Sequence, residues 1–181
     1  MRWPANSIVI YSNLPLLHGE DWAAPSVEYG IGGSEEAVIY LSEELVNLGY
    51  QVTVFNPCGK FAGIYNGVSY CSLELFNPED EFDILIIHRY WLHPMVMNLK
   101  ARKIAIWLHD NPQFLSAIAE NQRQEFLSSF NKLFVLSNYH RSFLPNWIPA
   151  EKLLMTRNGI KLSDFEKQGR LFRIRGENRI I

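Results

Sequence analysis

Several side chains able to do chemistry stand directly after short apolar runs. His88-Arg89-Tyr90-Trp91 follows DILII, and His109-Asp110-Asn111-Pro112 follows KIAIWL. An imidazole in such a place can donate to, or accept from, a hydroxyl or phosphate oxygen, and Asp110 beside it can accept from hydroxyls. Each histidine reads equally well as a satisfied structural one. Upstream, Gly30, Gly32 and Gly33 in GIGGSE let backbone amides approach a ligand at the mouth of a helix, where an anion is welcome. The same glycines can also do no more than turn the chain into that helix. Glu35 and Glu36 would compete with a phosphate for the helix dipole unless they turn aside to take hydroxyls. Ser137-Asn138 follows KLFVL, and Asn158-Gly159 near the end is a tight-turn signal. Tyr90, Trp91 and Trp107 offer apolar platforms for a ring, or serve as core. Metal binding is not expected. His88 and His93 lie five apart rather than at i,i+4, no acidic motif accompanies them, and there is no CxxC pair.

The elements that must position these residues are legible as an alternation. Ser7 to Ser12, Gln51 to Asn56, Asp83 to His88, Lys103 to Leu108 and Lys132 to Leu136 are compact and mostly β-branched or aromatic, as strands buried on both faces should be. Leu153 to Thr156 adds a sixth strand, and Val68 to Cys71 reads as a short edge strand. Ser34 to Leu48 puts Val38, Leu41, Leu45 and Leu48 on one helical face and stops at Gly49. A second helix is expected over Gln113 to Ser129, with Phe114, Ile118, Phe126 and Phe130 as its apolar contacts, and a short third from Asn138 to Leu144 before Pro145. Helices recurring between strands predict an α/β fold with a doubly wound, mainly parallel sheet, because parallel neighbours need long right-handed crossovers. In such sheets ligands bind beyond the carboxyl ends of the strands, which is where the residues named above fall. The loop from Asn13 to Gly33 is long enough to be functional.

Composition narrows the class. With 181 residues, 48% hydrophobic and 20% charged, the chain is that of an ordinary globular domain, not a disordered or fibrous one. Two cysteines, Cys58 and Cys71, fall short of a disulfide framework, so a reducing, cytoplasmic setting is expected. Neither a membrane-spanning run nor a signal peptide is visible. Net charge is -2 overall but uneven: residues 1 to 96 sum to -9 and residues 97 to 181 to +7. The basic residues of the second half are scattered among apolar runs rather than clustered, so nucleic acid is not an expected partner. A dinucleotide fingerprint would place its glycines directly after the first strand and an acid at the end of the second. Here GIGG comes about eighteen residues late and the second strand ends in Asn56-Pro57-Cys58, which leaves an NAD-dependent oxidoreductase as a minor alternative.

Taken in order, GIGGSE before an amphipathic helix, YQVTVFN, FDILIIH, IAIWLHD, KLFVLSNYHRSFL and LLMTRNGI resemble the N-terminal domain of family-4 retaining glycosyltransferases of the GT-B fold. That resemblance implies a Rossmann-like half, residues 1–160, which binds mainly the carbohydrate or glycolipid acceptor. Residues 161–181 would be the linker and the start of a C-terminal domain that holds most of the nucleotide-sugar donor, with ENRII as its first strand. It further implies that Gly32 and Gly33 approach the donor diphosphate and that His109 lies near the donor sugar in the catalytic position. Asn158 and Gly159 would form the interdomain turn, while Glu35, His88, Asp110 and Asn138 are expected to contact sugar or acceptor from their own places at the helix mouth and after the strands. Lys161 departs from the pattern, since an acid usually follows the NGI triplet. No cofactor or metal is expected, and membrane contact is at most peripheral. A carbohydrate-binding or assembly module that kept only this domain is the non-enzyme alternative.

Overall fold

The computed structural model describes residues 1–13, 21–89 and 93–159. Its centre is a run of strands too apolar to face water on either side. β1 (Ser7–Ser12) is buried at all six positions. β2 (Gln51–Asn56), β3 (Gly63–Tyr65), β4 (Val68–Ser72), β5 (Glu81–His88), β6 (Lys100–Trp107), β7 (Lys132–Val135) and β8 (Leu153–Met155) complete one sheet in the order β3-β4-β2-β1-β5-β6-β7-β8. Every neighbouring pair is parallel except β3 with β4. The molecule is therefore an α/β protein with a mostly parallel sheet.

Alternating side chains feed two cores. Val9, Tyr11, Leu85, Ile87 and Ile106 pack on one face with Phe126 from α3 (Glu120–Ser128). Ile8, Ile10, Val54 and Ile86 pack on the other with Val38 and Ile39 from α1 (Gly33–Asn47). A period of two along each strand forces this division, and helices on both faces follow from it. Burying a side chain of this kind stabilises the fold by about 1.5–3 kcal/mol, so the two layers outweigh any single surface contact. The short helices α2 (His93–Val96) and α4 (Asn138–Ser142) follow β5 and β7.

Three expectations are corrected. Val68 to Cys71 is not an edge: β3 lies outside β4, joined to it through Asn66 and Gly67, both at positive φ. Asn-Gly favours that two-residue hairpin, and Gly67 is required twice over, because a Cβ there would come within 2.7 Å of Val46 Cγ1. The helix expected over Gln113 to Ser129 is broken into a 3-10 turn, Pro112–Ala117, and α3. Ile118 and Ala119 between them are extended, and Leu115 and Ile118 are both buried. The loop after β1 is not bare coil. Its described part, from Asp21 onward, carries a 3-10 turn at Ala24–Tyr29 with Trp22, Ala23 and Ser26 buried. Smaller differences are β6 beginning at Lys100, where its charged start pairs in register with Glu81, and α4 ending at Ser142. The strand expected in ENRII, the linker expected over 161–181 and Lys161 lie outside the described residues.

Candidate functional site at the switch point of the sheet

The chain leaves β1 toward β2 and β4, then returns across β1 to lay down β5, β6, β7 and β8. Strand order thus reverses between β1 and β5, and in open α/β sheets the carboxyl ends of the strands at such a reversal are where ligands bind. Ser12 and His88 are the last paired residues on those two strands. Their side chains meet there, Ser12 Oγ lying 2.8 Å from His88 Nδ1. His88 is completely buried, and burial first, then the neighbouring His109 imidazole and Arg89 guanidinium, which disfavour a second cation beside them, hold its pKa well below the ordinary imidazole range. His109 is pushed down to about 4, chiefly by burial and then by Arg89, with Asp110 and Glu35 pulling the other way. Both rings are neutral at pH 7. They meet edge to face at 4.7 Å, with Trp107 against His109 at the same distance. The Nε2 atoms of His88 and His109 are buried without a hydrogen-bond partner, which leaves two polar atoms beside the crevice for a ligand to satisfy.

Arg89, the next residue, organises the mouth. Its backbone lies at φ 69, a region that costs a residue other than glycine about 1–3 kcal/mol, and its N–H donates to the Trp107 carbonyl at 2.9 Å. The guanidinium then grips two elements at once. Nε and Nη2 each donate to Asp110 at 2.9 Å in a fork, and Nη1 donates to Glu35 Oε1 and Ser34 Oγ at 3.2 Å. Ser34 Oγ in turn donates to Glu35 Oε2 at 2.7 Å. Two carboxylates, one from α1 and one from the end of β6, therefore share a single cation.

Gly32 and Gly33 stand at the mouth of α1, where the sequence placed them. Gly32 is the N-cap of α1, and a Cβ on it would collide with Glu35 Oε2. The room above Gly32 is thus filled by the chain's own carboxylate, turned back over the helix start. Gly33 has open space on its side-chain face. Glu36 turns away along α1 and accepts from the Tyr40 hydroxyl at 2.9 Å. Because Gly33 is helical with space for a methyl group, Gly33→Ala is expected to raise stability by about 0.5 kcal/mol, visible as a small upward shift in Tm. A lowered Tm would show that close backbone approach matters even without ligand.

Of the remaining sequence candidates, Trp107 is core, 3% exposed, and offers no platform. Tyr90 and Trp91 lie outside the described residues. Asn138 is exposed at the first position of α4, and its helix joins the site through His140 rather than through Asn138. His140 Nδ1 accepts from the Leu136 N–H at 3.1 Å, so the ring carries its proton on Nε2, which donates to the Asp110 carbonyl at 2.9 Å. Asn158 and Gly159 are exposed, and the residues after them that would complete a turn lie outside the described ones. Sequence reasoning did not single out Arg89 or His140. For His140 a local signal existed, since Ser137 caps α4 by accepting from the His140 N–H.

Fold and site together define an α/β protein with a candidate ligand crevice at the carboxyl ends of β1, β5 and β6. Compared with protein-family models, curated proteins and solved structures, the chain matches none. Among the described residues, no cluster of three or more His, Cys, Asp or Glu side chains is able to hold a metal ion, and no helix is long and apolar enough to cross a membrane.

Proposed function

We propose that the chain is the acceptor-side, Rossmann-like half of a GT-B glycosyltransferase that moves a hexosyl group from a nucleotide sugar to an acceptor hydroxyl with retention. The observation that carries this reading is the convergence of Glu35, Arg89, Asp110 and two neutral imidazoles at the switch point. Carboxylate oxygens and neutral imidazole nitrogens are the groups that hydroxyls satisfy. In the reaction the bond from the anomeric carbon to the diphosphate breaks as positive charge develops on the ring. The acceptor oxygen then attacks from the face that the phosphate leaves, and its proton passes to the departing phosphate. Such chemistry asks this half for position and orientation rather than for a nucleophile. A nicotinamide reading gains nothing at the end of β2, where Asn56 is buried and its amide donates to the Trp22 carbonyl.

Donor affinity depends on charge-assisted contacts to a diphosphate, and here the Glu35 carboxylate lies over Gly32 where a phosphate would approach. Those contacts are assigned to a second domain. Each one lost is worth about 1.5–3 kcal/mol, so two or three missing contacts weaken binding by at least roughly a hundredfold. Residues 1–181 are expected to fold, to transfer no sugar, and to bind UDP-, GDP- or ADP-sugars no tighter than about millimolar. Calorimetry tests this directly. Micromolar binding by these residues alone would put the donor site in the wrong domain, and a longer chain that regains affinity and transfers sugar would support the proposal.

A further inference from the structure

We propose that Arg89 is the positioning residue of the crevice, holding Glu35 and Asp110 so that their outward oxygens receive vicinal hydroxyls of an uncharged sugar ring beside His109; the inference rests on the carbohydrate reading above.

Three independent features point to the Arg89 side chain. The first is the backbone. At φ 69 a glycine would sit without strain, yet the chain places its bulky cation there. The second is reach. The fork joins Asp110, 21 residues on, to Glu35, 54 residues back, and so fixes the gap between the start of α1 and the end of β6. An ammonium has the charge but lacks the planar fork, and it could not hold both oxygens of Asp110 in one plane while reaching Glu35. From behind, His140 holds the Asp110 carbonyl, so that segment is tied at its backbone and its side chain alike.

The third feature is what remains free. Arg89 uses one lone pair on each oxygen of Asp110 and one on Glu35 Oε1, and the Ser34 hydroxyl uses one on Glu35 Oε2, while a carboxylate offers about four. The Asp110 side chain is still 51% exposed. Acceptor sites therefore face outward in a fixed arrangement. One guanidinium against two carboxylates leaves one negative charge, and the two neutral imidazoles do not offset it. An uncharged polyol meets carboxylate acceptors without a charge penalty there, whereas a ring bearing a carboxylate is repelled.

Chemical-shift titration of the 181-residue chain with methyl glucoside, galactoside and mannoside, and with the matching uronates, tests the inference. Wild type, Arg89→Lys and Arg89→Gly are compared, each with its thermal melt. The expected result is that wild type saturates with at least one methyl glycoside and binds the corresponding uronate at least about tenfold more weakly. Arg89→Lys and Arg89→Gly should each weaken the glycoside by at least about tenfold while still unfolding cooperatively. If wild type binds a glycoside and both variants bind it equally well, the role given to Arg89 is wrong and the carbohydrate reading stands. Failure of wild type to bind any of the sugars would overturn the reading and the inference together. Loss of folding in both variants would also overturn it, by making Arg89 a support of the fold. Uronates binding as tightly as glycosides would remove the charge argument.

Discussion

Replacing His109 by alanine, in a chain that carries the proposed donor-side domain, is expected to lower turnover roughly 10- to 1,000-fold, which is about 1.4 to 4 kcal/mol of transition-state stabilisation. His109 follows β6, which pairs with β5 at the switch point, and its Nε2 is buried with nothing to bond. Its low pKa, about 4, makes it a neutral hydrogen-bonding group at pH 7 rather than a cation. A ring hydroxyl satisfying that nitrogen would gain most when the sugar distorts toward its charged state, so the loss belongs in kcat more than in KM. Stability should change little, because His109 is only partly buried and stands outside both core layers. His109→Gln, which keeps a polar atom in the space, should recover part of the rate. Steady-state kinetics and a melt on the same preparations decide the matter: unchanged turnover, or a variant that does not fold, returns His109 to a structural role.

What the sequence made legible follows from how local each signal is. The bounds read for β1 and β2 coincide with the observed ones, and α1 differs by one residue at each end. Doubly buried strands are apolar without interruption, and the helix ends at Gly49, which adopts φ 91. β3 escaped because three residues, Gly63-Ile64-Tyr65, carry no period, although Asn66-Gly67 marked the hairpin that forms it. The interruption at Ile118 and Ala119 leaves no mark in the helical period, because Leu115 and Ile118, both buried, stand three apart as they would on one helix face. The site divides in the same way. His88, His109 and Asp110 lie together because each follows a strand and parallel topology brings those ends to one edge, while Glu35 reaches them from the start of α1. Arg89 was passed over because its partners are set by strand order, 21 and 54 residues away. One clue was present: it is one of three basic residues in the first 96, in a half whose charge is -9. So isolated a cation at the end of a buried strand has to find carboxylates.

Acid is expected to weaken the fold well before its carboxylates titrate. A histidine in the unfolded chain has a pKa near 6.5, whereas His109 in the fold sits at about 4 and His88 is depressed in the same direction by complete burial. Between those values the unfolded chain binds more protons than the folded one, so stability is fully present above pH 6.5 and falls as pH drops toward 4. At 1.36 kcal/mol per pH unit the His109 gap corresponds to about 3 kcal/mol, which the ring's partial contact with solvent reduces to about 2. His88 adds to the same loss. Asp83, held below the usual carboxylate range chiefly by its hydrogen bond from Arg102, loses its contribution only as pH falls through values under 4. The interval from pH 7 to 5 therefore isolates the imidazoles. Urea unfolding across that interval should show stability falling with acid in the wild type and a flatter dependence in His109→Gln and His88→Gln, whatever their absolute stabilities. Equal slopes in all three would mean that neither ring is held neutral by the fold. The same neutrality is what leaves their nitrogens available to hydroxyls, so a glycoside that binds at pH 7 should release as the rings charge and the folded state gives way.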